Sequence, residues 1–437
     1  MRFFRNRVSG AMFLIFEGIV YTMVFNLYNP FIQMFGKRLG AGDVHIALLN
    51  AAPPLVAVFV LIPFGILIER INRKKQTVLL LLLINSLFYA AIAFIPSIPH
   101  QAKVLAYVAL IGLMNCPGSL YLTTWQSYFA DNFKGSYANR VYSVRSKYGT
   151  FFGLLTVLVT GILLTAIPHS DEERLFMYQI FYGVCFVLTL LQVFLFSKVY
   201  DHDEYHLHAG YTDNIPATAK TEDTAKTSHS FGKAELAEML VNKPFLIFCL
   251  CGFAFHLAWQ MGWPLFFIYN ANYAGLNEFQ ISLINVASSL AQFLSYTLWN
   301  RLIDKKGSSL MIIPGALGLA LTPFGFMTLV SFPLILFINT FSGFFMACFN
   351  LTLFSNLLET LPARSKTVYI SVFNTLTNIT GFVAPMIGVW IYNRTNIYMA
   401  LTIVGIVRIT ATMLYVVRWW TGRTDRKGKT GNTEITG

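Results

Sequence analysis

Charged side chains are scarce in this chain. Asp, Glu, Lys and Arg make up 12% of its 437 residues, and hydrophobic residues make up 55%. Ordinary soluble domains carry about 25% charged residues. The length alone would suggest two or three soluble domains, but apolar runs long enough to cross about 30 Å of hydrocarbon recur along the chain. The composition therefore indicates an integral membrane protein.

Other signals of soluble chemistry are also missing. The five cysteines all lie in apolar runs and form no CxxC pair, so we interpret them as small hydrophobic residues. The chain has no phosphate-binding loop, no GxSxG motif and no nucleotide signature. These absences disfavour an ATP-driven pump, and we expect neither enzymatic activity nor a cofactor.

Twelve apolar runs predict an all-α protein with twelve transmembrane helices. The first follows MRFFRNR and is interrupted by Pro30, and its length favours a retained span over a cleaved signal peptide. We number the runs as spans 1 to 12. Their approximate bounds are 11–35, 44–68, 77–96, 104–129, 142–167, 175–198, 244–270, 279–299, 310–330, 333–357, 368–392 and 396–417.

The basic residues follow this topology. Of 32 lysines and arginines, 26 lie on the side where the chain begins, and one, Arg408, lies within span 12. By the positive-inside rule, both termini and the middle linker are cytoplasmic in a plasma membrane. The formal charge of +12 therefore requires no nucleic-acid partner. Five basic residues lie on the other side: Lys37, Arg38, Lys103, Arg174 and Arg394.

One long polar segment divides the chain. We predict a six-helix bundle at 1–198, a linker at 199–243, a second six-helix bundle at 244–417 and a basic tail at 418–437. The linker has too few large apolar residues to form a core. Its stretch DHDEYHLH contains His202, His206 and His208, for which we favour a solvated tether over a metal site.

A charged motif appears once in each half. GILIERINRKK at 65–75 follows span 2, and NRLIDKKGSS at 300–309 follows span 8. A shift of 235 residues places Gly65, Glu69, Arg70 and Asn72 on Asn300, Asp304, Lys305 and Gly307. The repeated order of an acid followed by a base indicates that the two halves are copies of one unit.

GILIERINRKK resembles the G-x-x-x-D-R-x-G-R-K signature of major facilitator superfamily transporters. WQSYFADNFKGSYANRVYSVR at 125–145 is similar to their segment between helices 4 and 5, with Arg140 and Arg145 at the basic positions. The resemblance implies two pseudo-symmetric six-helix bundles that rock about a central site. It also implies a small-molecule substrate, protons or another coupling ion and, we expect, a monomer.

We predict that the repeated motif forms a cytoplasmic latch. Glu69 would meet the amino-terminal end of span 11, and Asp304 that of span 5. The positive end of a helix dipole stabilises a carboxylate there. The alternative is that these charges only end a helix and fix its orientation. The predicted latch residues are Gly65, Glu69, Arg70, Arg73, Arg140, Arg145, Asp304, Lys305 and Gly307.

Glu17 and Arg408 lie well inside their spans, where charge is expensive and often functional. Glu17, about two turns into span 1, is our candidate for coupling transport to protons, against a structural hydrogen-bonding role. Arg408 needs a partner, and we expect it to pack against a carbonyl or a polar side chain rather than the substrate.

The resemblance places spans 1, 4, 7 and 10 around the central cavity. His256, Trp259, Gln260 and Trp263 share one face of span 7, which suits an amphiphilic ligand. Alternatively, His256 is a satisfied interior residue and Trp263 belongs to an interfacial belt. The other candidates are polar residues that could instead bond a neighbouring helix: Tyr21, Tyr28, Asn115, Asn350, Asn356, Asn374 and Asn378.

Together these features predict a secondary active transporter that moves a small organic solute by alternating access and is coupled to protons. Sparse charge in the cavity favours export of a neutral or cationic amphiphile or metabolite. Proton-symport uptake of a neutral sugar or polyol is the alternative. A lipid flippase or a membrane receptor that does not transport could use the same fold.

Overall fold

The computed structural model describes residues 2–70, 73–133, 135–199, 239, 241–327, 331–361 and 366–431. Within these residues the regular structure is helical, and twelve helices are long and apolar enough to span a membrane. The twelve predicted spans are thus confirmed. Their helices are Arg2–Tyr28 with Ile32–Arg38, Asp43–Arg70, Lys74–Ala93, His100–Asn132, Gly135–Ala166, Asp171–Ser197, Lys243–Gln260 with Gly262–Ile268, Glu278–Lys306, Ser308–Met327, Phe332–Thr360, Lys366–Arg394 and Ile397–Gly431.

Proline accompanies a break in the helix of span 1, as predicted, and in that of span 7, which was predicted to be continuous. Span 1 passes through a 3₁₀ turn at Asn29–Phe31, which contains Pro30. Span 7 ends its first helix at Gln260, four residues before Pro264. Pro264 has no N–H to donate to the Gln260 carbonyl, and its ring would clash with that carbonyl in a regular helix.

The carboxyl-terminal parts of two spans also differ from the predicted helices. Span 7 closes with a π-helical turn at Tyr269–Tyr273. Span 12 continues as a helix to Gly431, into the segment that the sequence predicted as a basic tail. Most of the predicted linker lies outside the described residues.

The two halves repeat the same packing. Span 1 packs against spans 5 and 6, span 4 against spans 2 and 3, and span 3 against span 6. The corresponding pairs of the second half, 7 with 11 and 12, 10 with 8 and 9, and 9 with 12, are all in contact. The chain therefore forms two pseudo-symmetric six-helix bundles. They meet along spans 2 and 11 and along spans 5 and 8.

Polar contacts join the two bundles at one face of the membrane region. We call the face where span 1 begins and span 12 ends the terminal face, and the other the opposite face. At the opposite face the Lys37 ammonium donates to the Ala271 carbonyl over 2.7 Å. The Phe279 N–H donates to Thr165 Oγ1 over 3.0 Å. These contacts hold span 1 against span 7 and span 5 against span 8.

An ion-pair group lies beside these contacts. The Arg38 guanidinium is 2.7 Å from Asp171 of its own bundle and 3.0 Å from Glu278 of the other. The Glu278 side chain is 1% exposed, whereas the Asp171 side chain is 72% exposed. We call these three residues the opposite-face bridge. Its buried half, Arg38 with Glu278, crosses between the bundles.

Candidate functional site

Glu17 is fully buried in the first bundle, and three side chains donate hydrogen bonds to its carboxylate. Tyr121 Oη is 2.6 Å from Oε1, and Gln192 Nε2 is 2.7 Å from the same oxygen. Arg145 Nη2 is 3.2 Å from Oε2 and forms an ion pair with it. Spans 1, 4, 5 and 6 each supply one member. This arrangement is the one that an ionised carboxylate requires inside a protein.

Arg145, which the sequence assigned to the cytoplasmic latch, belongs to this cluster in the structure. Its guanidinium lies over the Trp125 ring, 4.1 Å from the ring centroid. Its side chain crosses span 1 at Gly18, where the absence of a Cβ leaves room for it. The flat guanidinium can therefore stack on an aromatic ring and reach a buried acid at once, as arginine does well.

The sequence did not reveal the partners of Glu17. Tyr121, Arg145 and Gln192 are 104, 128 and 175 residues away along the chain. No local spacing connects them. The available signal was the polar character of Gln192 within an apolar run, and it does not specify a partner.

A cavity of about 300 Å³ lies next to the cluster, within the first bundle. Spans 1, 2, 3, 4 and 6 line it, including the predicted residues Tyr21, Tyr28 and Asn115. None of its lining residues in the described part of the chain is charged. The polar lining residues are Tyr21, Tyr28, Asn29, Asn85, Tyr89, Asn115, Ser119, Tyr121, Thr189 and Gln192. Tyr121 and Gln192 thus connect the cavity to the Glu17 carboxylate.

The polar face predicted on span 7 forms part of an aromatic cluster in the second bundle. His256 is buried, and its Nδ1 is 2.9 Å from the Gly252 carbonyl. The Trp259 ring lies 5.7 Å from the His256 ring and 5.5 Å from the Trp263 ring. His256 therefore has the environment of an interior histidine, and this face does not line the cavity of the first bundle.

Gln260 lies where span 7 meets spans 2 and 11. Its Nε2 is 3.5 Å from the Thr377 carbonyl of span 11. Its Oε1 is buried and accepts no hydrogen bond from a described residue. Gly381 of span 11 allows Pro54 of span 2 to pack closely at the same level. Gln260 is thus a polar group at the contact between the bundles.

Asn356, which the sequence placed among the cavity candidates, has protein partners in the structure. It is fully buried within the second bundle. Its Oδ1 accepts hydrogen bonds from Ser309 at 2.9 Å and from Arg418 at 3.1 Å, and its Nδ2 donates to the Thr352 carbonyl. Its Oδ1 joins span 10 to spans 9 and 12, and its Nδ2 bonds within span 10, so both polar atoms already have protein partners.

The remaining asparagine candidates are separate from the cavity. Asn350 and Asn374 are exposed. Asn378 donates to the Asn374 carbonyl one turn earlier in span 11, over 3.0 Å. The structure therefore does not bring spans 10 and 11 to the site formed by the first bundle.

Arg408 is buried in the second bundle and bonds backbone carbonyls, as the sequence predicted. Its guanidinium donates to the carbonyls of Ala258, Leu319 and Trp259 at 3.2, 2.9 and 2.6 Å, respectively. Two of these acceptors lie in the last turn before span 7 is interrupted. Carbonyls at a helix end lack partners within the helix, so a cation is favourable there.

The structure describes only part of the predicted latch. Arg73, Asp304 and Lys305 are exposed, and Gly307 ends span 8 with a φ of 84°. The side chains of four further latch residues, Gly65, Glu69, Arg70 and Arg140, lie outside the described residues. The latch therefore stays a prediction.

No group of three or more His, Cys, Asp or Glu side chains in the described part of the chain could hold a metal ion. The linker histidines His202, His206 and His208 lie outside that part.

Comparison with protein families matches both halves of the chain. The model of the Major Facilitator Superfamily matches residues 14–255 and again residues 248–436. No curated protein matches the chain in sequence.

Solved structures share the fold at low sequence identity. The nucleoside transporter NupG has 12% identity and a TM-score of 0.68, over 93% of this chain and 98% of that one. A bacterial homolog of the human lysosomal transporter Spinster, in an inward-facing and unoccupied conformation, has 13% identity and a TM-score of 0.66. That match covers 96% of this chain and 98% of the other.

Proposed function

Because this chain belongs to the major facilitator superfamily, we propose that it is a secondary transporter that moves a small uncharged organic solute by alternating access, with Glu17 coupling the movement to protons. The observation that carries the proposal is the Glu17–Arg145 ion pair, buried beside an uncharged cavity.

The lining of the cavity supports an uncharged solute. Its polar groups are hydroxyls and amides, which can orient a solute without attracting either sign of charge. Glu17, which the lining residues Tyr121 and Gln192 bond, already has Arg145 as its counter-ion. Between the neutral and cationic substrates that the sequence allowed, the structure favours the neutral one.

The ion pair supports a role in proton coupling. It ties span 1 to span 5, and span 5 is one of the helices that contact the other bundle. Protonation of Glu17 would leave the Arg145 guanidinium without its counter-ion in a buried place. Breaking a buried pair costs about 3–5 kcal/mol. A difference of a few kcal/mol is enough to shift an equilibrium between two conformations.

The expected direction is export in exchange for protons. Most of the exposed surface area of the cavity wall is apolar, to which Val24, Phe25 and Leu122 contribute, and this suits an amphiphile. Amphiphiles enter bilayers unaided, so a cell needs a carrier to remove them. Uptake with protons would give the opposite sign of pH change in the experiment below.

The test uses purified protein in vesicles that contain a pH-sensitive dye. Uridine, uracil and nicotinamide serve as uncharged ring-bearing probes, and uridine is included because NupG is a nucleoside transporter. We expect the wild-type protein to move protons when a probe gradient is imposed. Glu17→Gln should abolish this proton movement, because the glutamine cannot ionise.

Glu172→Gln is the matched control, because Glu172 is an exposed acid at the start of span 6. It should behave as the wild type. Unchanged proton movement in Glu17→Gln would assign the coupling to another group. Absence of flux for every probe with the wild-type protein would contradict transport of small uncharged ring compounds.

A further inference from the structure

An unpartnered acceptor lies in the wall of the first-bundle cavity. Asn85 Oδ1 is buried, and it accepts no hydrogen bond from a described residue. The amide of the same side chain donates to Tyr89 Oη over 3.4 Å. Buried acceptors are normally satisfied, because leaving one unpaired is costly. Since Asn85 lines the cavity, a molecule inside it can supply the missing donor.

Two tyrosine pairs provide flat surfaces in the same cavity. The rings of Tyr21 and Tyr121 are 5.4 Å apart, and those of Tyr28 and Tyr89 are 5.3 Å apart. Tyr21 and Tyr28 are only partly buried, so their rings have surface left for a further contact. Aromatic rings favour offset-stacked or edge-to-face contact with another ring.

The size and the lack of charge of the cavity further restrict the class of ligand that it can bind. At about 300 Å³, it is about twice the size of an engineered cavity of about 150 Å³ that binds benzene. A compound of one or two rings therefore fits in it. No described lining residue is charged, so an ionised ligand would have no counter-ion there.

We infer that this cavity binds a small uncharged heteroaromatic compound, stacked on tyrosine rings and donating a hydrogen bond to Asn85. The inference deepens the proposed function, on which it rests, because it names the substrate class of the transporter. It also places recognition within the first bundle, on spans 1, 2, 3, 4 and 6. Asn115 Nδ2 shapes this site by donating to the Pro53 carbonyl over 2.7 Å, which fixes span 4 against span 2.

Binding is tested by isothermal titration calorimetry on the purified full-length chain in detergent. Nicotinamide and nicotinate share one ring and differ in charge, and myo-inositol is an uncharged ring without a flat face. We expect nicotinamide to bind at least tenfold more tightly than either of the others. Equal affinity for nicotinate, preference for myo-inositol or no binding of nicotinamide would each overturn the inference.

Substitutions of residues that line the cavity test whether the ligand binds there. Asn85→Leu should weaken nicotinamide binding at least tenfold, because it removes the acceptor. Ser119→Leu, which fills part of the cavity, should abolish binding. Asn285→Ala changes an exposed asparagine of span 8 and should leave the affinity unchanged. Each variant is first shown to keep the wild-type melting temperature. Unchanged affinity in both Asn85→Leu and Ser119→Leu would place the ligand elsewhere.

Binding in detergent requires no flux, so failures of the two proposals are distinguishable. Specific binding without flux in vesicles would remove the transport proposal and keep the site. Proton-coupled flux whose KM for nicotinamide is unchanged in Asn85→Leu would keep the transport proposal and remove the site.

Discussion

At the scale of single residues, buried charges are the most informative positions in this chain. Glu17 and Arg408 are both almost completely inaccessible, yet their environments differ. Glu17 has an ionic partner, and Arg408 has three backbone carbonyls. Glu17 can lose its charge by taking up a proton, whereas its partner Arg145 cannot lose its charge. Arg408 instead bonds carbonyls at the end of a helix.

The ion pair can be measured by a double-mutant cycle. We expect Arg145→Met alone to lower the free energy of unfolding by about 3–5 kcal/mol, because it leaves Glu17 charged, buried and unpaired. Combining it with Glu17→Gln should recover most of that loss. Thermal unfolding in detergent measures each variant.

Arg174→Met is the control for this cycle. Arg174 pairs with the exposed Asp171 three residues away, over 3.1 Å. Exposed pairs contribute about 0–1 kcal/mol. If Arg145→Met proved as mild as Arg174→Met, the Glu17–Arg145 pair would carry no appreciable energy.

The sequence predicted the buried charged residues but not the side chains that surround them, and the reason is physical. The cost of burying charge identified Glu17 and Arg408 from hydrophobic context alone. The side chains that satisfy Glu17 come from three other helices, so its environment depends on tertiary packing. Asn356 shows the same limit, because only its partners Ser309 and Arg418 distinguish a structural amide from a ligand-binding one.

At the scale of helices, close packing of spans 1 and 5 positions the Glu17–Arg145 pair. Span 5 carries glycines at the positions where span 1 packs against it. A Cβ on residue 153 would lie 2.7 Å from Asn26 Nδ2 and 2.8 Å from Thr22 Cγ2. Small residues at such crossings allow helices to approach in membranes. Arg145 precedes Gly153 by about two turns and thereby lies within reach of Glu17.

Substitution of Gly153 should therefore separate these spans. We expect Gly153→Val to lower the free energy of unfolding by about 1–3 kcal/mol, the usual range for overpacking. Gly183→Val in span 6 should change it little, because no described atom lies within 4 Å of a Cβ there. Thermal unfolding of both variants in detergent provides the comparison, and equal effects would contradict a close 1–5 crossing.

The helices themselves were predictable, since the length of each apolar run is fixed by the thickness of the bilayer. The interruption of span 7 at Gln260 was not predicted. Its cause, Pro264, was visible in the sequence, but proline is tolerated in membrane helices when neighbours satisfy the freed carbonyls. Whether it bends or breaks the helix therefore depends on groups such as Arg408, which only the fold brings near.

At the scale of the whole molecule, the bundles are held together at the opposite face. Arg38 and Glu278 cross between them there, and the neighbouring contacts of Lys37 and Phe279 support the same closure. The repeated packing of spans was foreseen from the duplicated motif. The closure of the opposite face was not predicted, because Arg38 and Glu278 are 240 residues apart in the sequence.

Weakening the bridge should open the opposite face. We expect Glu278→Gln to increase the labelling rate of a cysteine introduced at Ser282, which is buried against Gly161. A loss of about 1.4 kcal/mol corresponds to a tenfold change in population, so the rate should rise about tenfold or more. The measurement uses maleimide labelling with the native cysteines replaced.

Asp171→Asn is the matched control, because Asp171 contacts Arg38 within one bundle and is largely exposed. It should leave the labelling rate close to that of the starting protein. Equal acceleration by both substitutions would show that the crossing pair has no special part in closure.

The confinement of the cavity and the Glu17 cluster to the first bundle has an evolutionary consequence. If the cavity and Glu17 act as proposed, ligand preference and ion dependence can change together through mutations in one half of the gene. The other half is then constrained mainly by the need to keep a matching surface against which its partner can move.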